Sequence, residues 1–116
     1  MMEYTDARTV ARMFAALGEP TRLKIVAALL AGPHNVGELA KFAGIPMVNM
    51  SHHLGVMRQA GVVEDEKRGR TVVYRLREDV FTPGTNGSLG TLAFGSFRVV
   101  IVAAPSARAK RKSAAE

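Results

Sequence analysis

The sequence predicts an α+β fold that is mainly helical, with about four helices, a two-stranded hairpin and a second hairpin near the C-terminus. Three observations carry this prediction. Apolar residues recur three or four apart in four stretches between about residues 6 and 61, and glycines or prolines separate the stretches. The period then switches, because Val62-Val63 and Thr71-Val72-Val73-Tyr74-Arg75-Leu76 are β-branched runs flanking Lys67-Arg68-Gly69-Arg70. Farther on, TLAFGSFRVVIV reads as two strands about a Gly95-Ser96 turn.

The first helix is expected from about Asp6 to Leu17, with Val10, Met13, Phe14 and Leu17 as its apolar stripe and Gly18 as its stop. Pro20 suits the first turn of a second helix, which runs to about Gly32 with Leu23, Val26, Ala27 and Leu30 toward the core. Asn35 followed three residues later by Glu38 has the spacing of a capping box, so a third helix runs from there to Gly44. The fourth runs from Pro46 or Met47 to Gly61, and Met47, Met50, Leu54 and Met57 form its buried stripe. The third and fourth helices, joined across Gly44-Ile45-Pro46, make a helix-turn-helix pair. A hairpin with arginines at its tip beside that pair is the layout of a winged helix-turn-helix, whose common physical use is to hold duplex DNA.

After Asp79 the segment PGTNGSLG is rich in turn formers. Val99 to Val102 is apolar at every position, so this strand is expected to be buried on both sides. The expected organisation is a DNA-binding domain over residues 1–80, a hairpin over 81–104 that serves dimerisation, and a disordered basic tail over 105–116.

The chain has 116 residues, which suits one domain with a modest core. It contains no cysteine, so it can form neither a disulfide nor a thiolate metal site. The net charge is +6; residues 1–84 hold 11 Lys and Arg against 9 Asp and Glu, and residues 85–116 hold 5 against 1. A basic balance suits an anionic partner. The opening residues lack the basic cluster and apolar run of a signal peptide, and no apolar segment reaches the length of a bilayer span. A cytoplasmic, nucleoid-associated protein is expected.

Helical geometry gives the candidate contact residues. With Met50 inward, 100° per residue turns Val48, His52, Gly55 and Gln59 outward, and Asn49 and Ser51 flank them. Val48, Asn49, Ser51 and His52 occupy the N-terminal half, which reads bases in such helices. Asparagine can bond adenine through two atoms, valine can pack on a thymine methyl, and histidine can donate to guanine or phosphate. Arg58 lies farther along and reaches toward a phosphate. Lys67, Arg68 and Arg70 at the wing tip suit phosphates or the minor groove. His53 points toward the core edge and is assigned to packing. Arg22 could hold a phosphate at a helix start or form a structural ion pair.

Three segments occur in one order: ALGEPTRLKIVAALLAG, NVGELAKFAGIP and SHHLGVMRQAGVVEDEKRGRTVVYRL. Together they resemble the ArsR/SmtB family of bacterial repressors over about Phe14 to Leu76. The resemblance implies a homodimer on double-stranded DNA that leaves its operator when an effector, often a metal ion, binds. Thiolate-using members carry cysteines near the position of Val36-Gly37-Glu38, and the usual last helix is replaced here by the hairpin at 90–103. His34, His52 and His53 are the only histidines, and adjacent helical histidines point about 100° apart. No metal site and no cofactor are therefore expected. No catalytic constellation occurs, so no enzyme is expected. Two other uses of the fold remain: a winged-helix module that binds protein, and a non-specific nucleoid protein acting through Lys110-Arg111-Lys112.

Overall fold

The computed structural model describes residues 3–85 and 87–104. The basic tail at 105–116, expected to be disordered, lies outside the described residues. Helix α1 spans Tyr4–Leu17, and the Gly18 N–H turns back to the Ala15 carbonyl. Helix α2, Pro20–Leu29, has proline in its first turn, and Glu19 ahead of it accepts from the Arg22 N–H at 3.0 Å. A short strand β1, His34–Asn35, leads straight into α3, Val36–Ala43. The capping box forms in full: Asn35 Oδ1 accepts from the Glu38 N–H at 2.8 Å, and Glu38 Oε1 accepts from the Asn35 N–H at 2.9 Å. Gly44 ends α3 at φ 70°, a left-handed conformation that glycine adopts freely. Helix α4 follows at Met47–Gln59.

Strands β2 (Val63–Arg68) and β3 (Thr71–Leu76) pair antiparallel from Val63↔Leu76 to Arg68↔Thr71. They close on Gly69-Arg70, with Gly69 at φ 63°. β1 adds to the other edge of β3, pairing His34 with Tyr74 and Asn35 with Val73, so the wing has a third strand. A second antiparallel sheet contains β4 (Phe81–Pro83), β5 (Ser88–Phe94) and β6 (Phe97–Val102), in that order. The expected Gly95-Ser96 turn closes β5 and β6 between the paired Phe94 and Phe97. β4 is an addition to the expected hairpin.

One apolar core joins all of this. Ile25, Leu39, Met50, Leu54, Met57, Val62, Leu92 and Phe94 are all fully buried. The second sheet lies against α1: Leu92 and Phe94 enter the helical core, and Ala93 N–H donates to the Val80 carbonyl at 2.7 Å. Phe14 meets Phe94 edge to face, with centroids 5.1 Å apart, and Phe97 at 6.0 Å.

Four packing expectations are corrected. In α2 the buried face is Ile25, Val26 and Leu29, whereas Leu23 and Ala27 are exposed and Leu30 is half-buried. The segment is apolar over most of its circumference, so neighbouring helices choose the face rather than the sequence period. Met47 is 57% exposed because it sits in the first turn of α4, beyond the helix's packed stripe. Phe14 is partly exposed at the seam between α1 and the second sheet. In β6, Val99 and Ile101 face inward, but Val100 and Val102 stand outward, 59% and 61% exposed. The chain itself covers only one face of that strand, because α1 lies on one side of the sheet.

Candidate nucleic-acid interface

α4 carries two opposite faces. Met50, Leu54 and Met57 have no exposed surface, while Val48, Asn49, Ser51 and His52 are all exposed, Val48 at 76%. The buried stripe locks the helix against the core. The same rotation then holds the four candidates outward in a fixed order. Val48, Asn49, His52 and His53 line one shallow depression. Met47 and the wing residues Arg70, Thr71 and Val72 line a neighbouring notch with Asn35, Val36 and Gly37, so the start of α4 and the tip end of β3 share a wall.

The wing is more heavily paired than its basic tip suggests. Arg68 Nη2 donates to Glu66 Oε2 at 3.4 Å, and Arg75 Nη1 donates to the same oxygen at 2.7 Å. Arg75 Nε also donates to Glu64 Oε2 at 3.2 Å. That hydrogen bond outweighs burial and holds the Arg75 guanidinium above its ordinary range. Arg58 Nη1 lies 3.5 Å from both oxygens of Asp65, so this candidate phosphate contact faces an internal carboxylate. Among the described residues, Lys67 and Arg70 make no ion pair. The candidates therefore divide into an unpaired set of Lys67 and Arg70 and a paired set of Arg58 and Arg68.

Behind α4, the Arg22 side chain turns inward. Its Nε donates to the Ala16 carbonyl, and its Nη1 lies 3.3 Å from His53 Nδ1. Glu19 Oε2 lies 3.6 Å from the same ring nitrogen. His53 is half-buried, at the core edge as expected, but in a polar setting. No sequence spacing pointed to this cluster, because Arg22 and His53 lie 31 residues apart.

His34 lies at the other end of the helix pair, with its Nδ1 buried and unpartnered 3.6 Å from Glu38 Oε2. The Asn35 N–H holds the Glu38 carboxyl below its ordinary range against a smaller opposing effect of burial, and His34 adds to the lowering. Among the described residues no three His, Cys, Asp or Glu side chains converge as a metal site would require. Among the described residues no helix is long and apolar enough to cross a membrane.

Comparison with known proteins gives the family of the fold. A helix-turn-helix domain family matches residues 17–66. The transcriptional repressor SdpR of Bacillus subtilis is 32% identical over 83 residues, which span 72% of this chain and 92% of that protein. The chain belongs to the ArsR family of winged helix-turn-helix transcriptional regulators. The biofilm growth-associated repressor of Xylella fastidiosa is 39% identical over 72 residues, and the regulator spans 63% of that relative's length. A homodimeric winged helix-turn-helix DNA-binding domain from Mycobacterium bovis, described as a possible ArsR-family regulator, superposes with a TM-score of 0.60. It is 28% identical and covers 66% of this regulator and 72% of itself. The family match takes in α2, α3, α4 and the first residues of the wing.

Proposed function

We propose that the regulator is a homodimeric, sequence-specific DNA-binding repressor that acts by occupying an operator. The observation carrying this reading is the two-faced α4, whose buried methionine and leucine stripe holds Val48, Asn49, Ser51 and His52 outward. These four read base edges in the major groove. Lys67 and Arg70, free of internal carboxylates, grip phosphates from the wing, and Arg68 and Arg58 join them by exchanging Glu66 and Asp65 for phosphate. Two copies related by a two-fold axis set their recognition helices about one helical turn apart on a pseudo-palindrome.

Residues 1–80 supply the DNA-binding part, and residues 81–104 supply the dimer surface together with α1. The outward Val100 and Val102 support that division, since an apolar strand face open to water favours a partner. The homodimeric relative from Mycobacterium bovis supports it as well. The protein works in the cytoplasm on the nucleoid and needs no catalytic step.

The decisive experiment selects bound sequences from a random duplex pool with the full chain. Enrichment of a two-fold symmetric site is expected; recovery of a sequence-independent population would overturn the repressor reading. Val100→Lys is expected to shift the dimer toward monomer in sedimentation, and an unchanged dimer would reject the role of the β6 face.

A further inference from the structure

We infer that His53 donates a hydrogen bond from its Nε2–H to a backbone phosphate of the bound duplex, with Arg22 and Glu19 as positioning residues that fix the ring. This inference rests on the DNA-binding reading above and adds a contact outside the exposed crown of α4. An arginine can only donate, and an ionised carboxylate can only accept. His53 Nδ1 lies 3.3 Å from Arg22 Nη1, within reach of a hydrogen bond, and 3.6 Å from Glu19 Oε2, beyond it. The Arg22 contact is met when Nδ1 accepts, the tautomer that carries the ring proton on Nε2.

Glu19 has a separate task. It accepts from the Arg22 N–H at 3.0 Å, which ties its carboxylate to the start of α2. The Nε of Arg22 is held by the Ala16 carbonyl, so the guanidinium bridges the end of α1, the start of α2 and the flank of α4. The imidazole is thus fixed in tautomer and in direction, as second-layer partners fix ligating histidines elsewhere. Among the described residues Nε2 has no hydrogen-bond partner, yet it is not among the buried unpartnered atoms, so solvent reaches it. Its ring lines the same depression as Val48, Asn49 and His52.

The choice of phosphate over a base edge follows from position. His53 stands 100° round the helix from His52 and is half-buried, on the flank rather than the crown of α4. The guanidinium beside it favours an anionic acceptor, offset in part by Glu19 Oε2, which the Arg22 N–H holds 3.6 Å from Nδ1. His52, 5.8 Å away between ring centroids, is the other titratable group facing it.

The test uses the full chain and a duplex recovered from the random pool. His53→Ala is expected to weaken binding about tenfold, the loss of one hydrogen bond to a charged group. The salt dependence should change less than for Arg70→Ala, because a single hydrogen bond rather than a full cation is removed. Arg70→Ala should lower that slope. His53→Gln, which keeps a donor at the distal position, should retain most of the affinity, whereas His53→Asn should behave like alanine. Arg22→Met should cost affinity with His53 present and nothing further in the His53→Ala background. NMR of the ring nitrogens in the unaltered protein decides the point without relying on the folding of a variant. The Nε2–H tautomer and a shift of its resonance on adding duplex are expected. An Nδ1–H tautomer, a duplex-insensitive Nε2 or wild-type affinity in His53→Ala overturns the contact while Arg70→Ala still weakens binding. If Arg70→Ala is also silent and no duplex is recovered, the DNA-binding reading fails and takes this contact with it.

Discussion

The two hairpins of the regulator share a construction and differ in nearly everything else. The wing, β2–β3, and the C-terminal hairpin, β5–β6, are both antiparallel pairs closed by two residues with a glycine first, Gly69-Arg70 and Gly95-Ser96. The wing is laced by Arg75, Glu64, Glu66 and Arg68, and its tip stands in water. The other hairpin contains no carboxylate and sends Leu92 and Phe94 into the core. Backbone pattern therefore says that a hairpin exists, and side-chain chemistry says whether it holds the protein together or holds something else.

The largest expected effect falls on the packed hairpin. Phe94→Ala removes a fully buried ring that Phe14 stacks against, and should cost about 3–5 kcal/mol in denaturant unfolding. A loss below about 1 kcal/mol would mean that the sheet is an appendage rather than part of the core. The wing should behave in the opposite way. Arg68→Ala with Arg70→Ala should leave stability within about 0.5 kcal/mol, as for surface changes. It should weaken duplex binding about tenfold or more, and reduce the slope of log K against log salt by about 1.8, as for two phosphate contacts. An unchanged slope measured by titration over a range of salt would break the contrast.

A smaller effect sharpens it. Glu66 accepts from both Arg68 and Arg75, so Glu66→Gln frees Arg68 for DNA. Affinity should rise about two- to fivefold, the size of an exposed ion pair, and a fall would show that Glu66 instead presents the arginine. The smallest effect is on acid sensitivity. The fold holds the carboxyls of Glu38 and Asp79 below their ordinary range, chiefly by hydrogen bonds from the Asn35 N–H and from Arg77. A lowered carboxyl stabilises fully above its unfolded value and loses that stabilisation as pH falls through the lowered one. Amides of α3 and β1 should therefore lose exchange protection in acid before those of β5–β6, and Glu38→Gln should flatten that dependence. Equal acid sensitivity of both regions would count against it.

The same contrast explains what could be read from sequence. The capping box at Asn35 and Glu38 and the stripe of α4 are local patterns, and both were legible, apart from Met47 at the start of the stripe. Val48 and His52 followed from the stripe by helical geometry, and Asn49 and Ser51 flank them in the N-terminal half of the helix. α2 was not legible in phase, because PTRLKIVAAL offers apolar residues on almost every side and tertiary neighbours choose among them. β1 has two residues and β4 has three with a proline, too short for a periodic signal. The run Val99 to Val102 suggested a strand covered on both faces, but how many faces are covered depends on the assembly, not the residue types. The pairing of Arg58 with Asp65 and of Arg68 with Glu66 depends on strand and helix geometry that composition leaves open. Arg22, Glu19 and His53 meet only because α2 crosses behind α4.

Asn35 occupies two structures at once, pairing with Val73 of the wing and capping α3 through its side chain. If the wing contacts DNA as proposed, any bend it takes on along a narrower or wider groove is passed by this shared residue to the first turn of α3, the helix that leads into α4. Such gearing would let the local shape of the duplex, not only its letters, bear on how this protein sits.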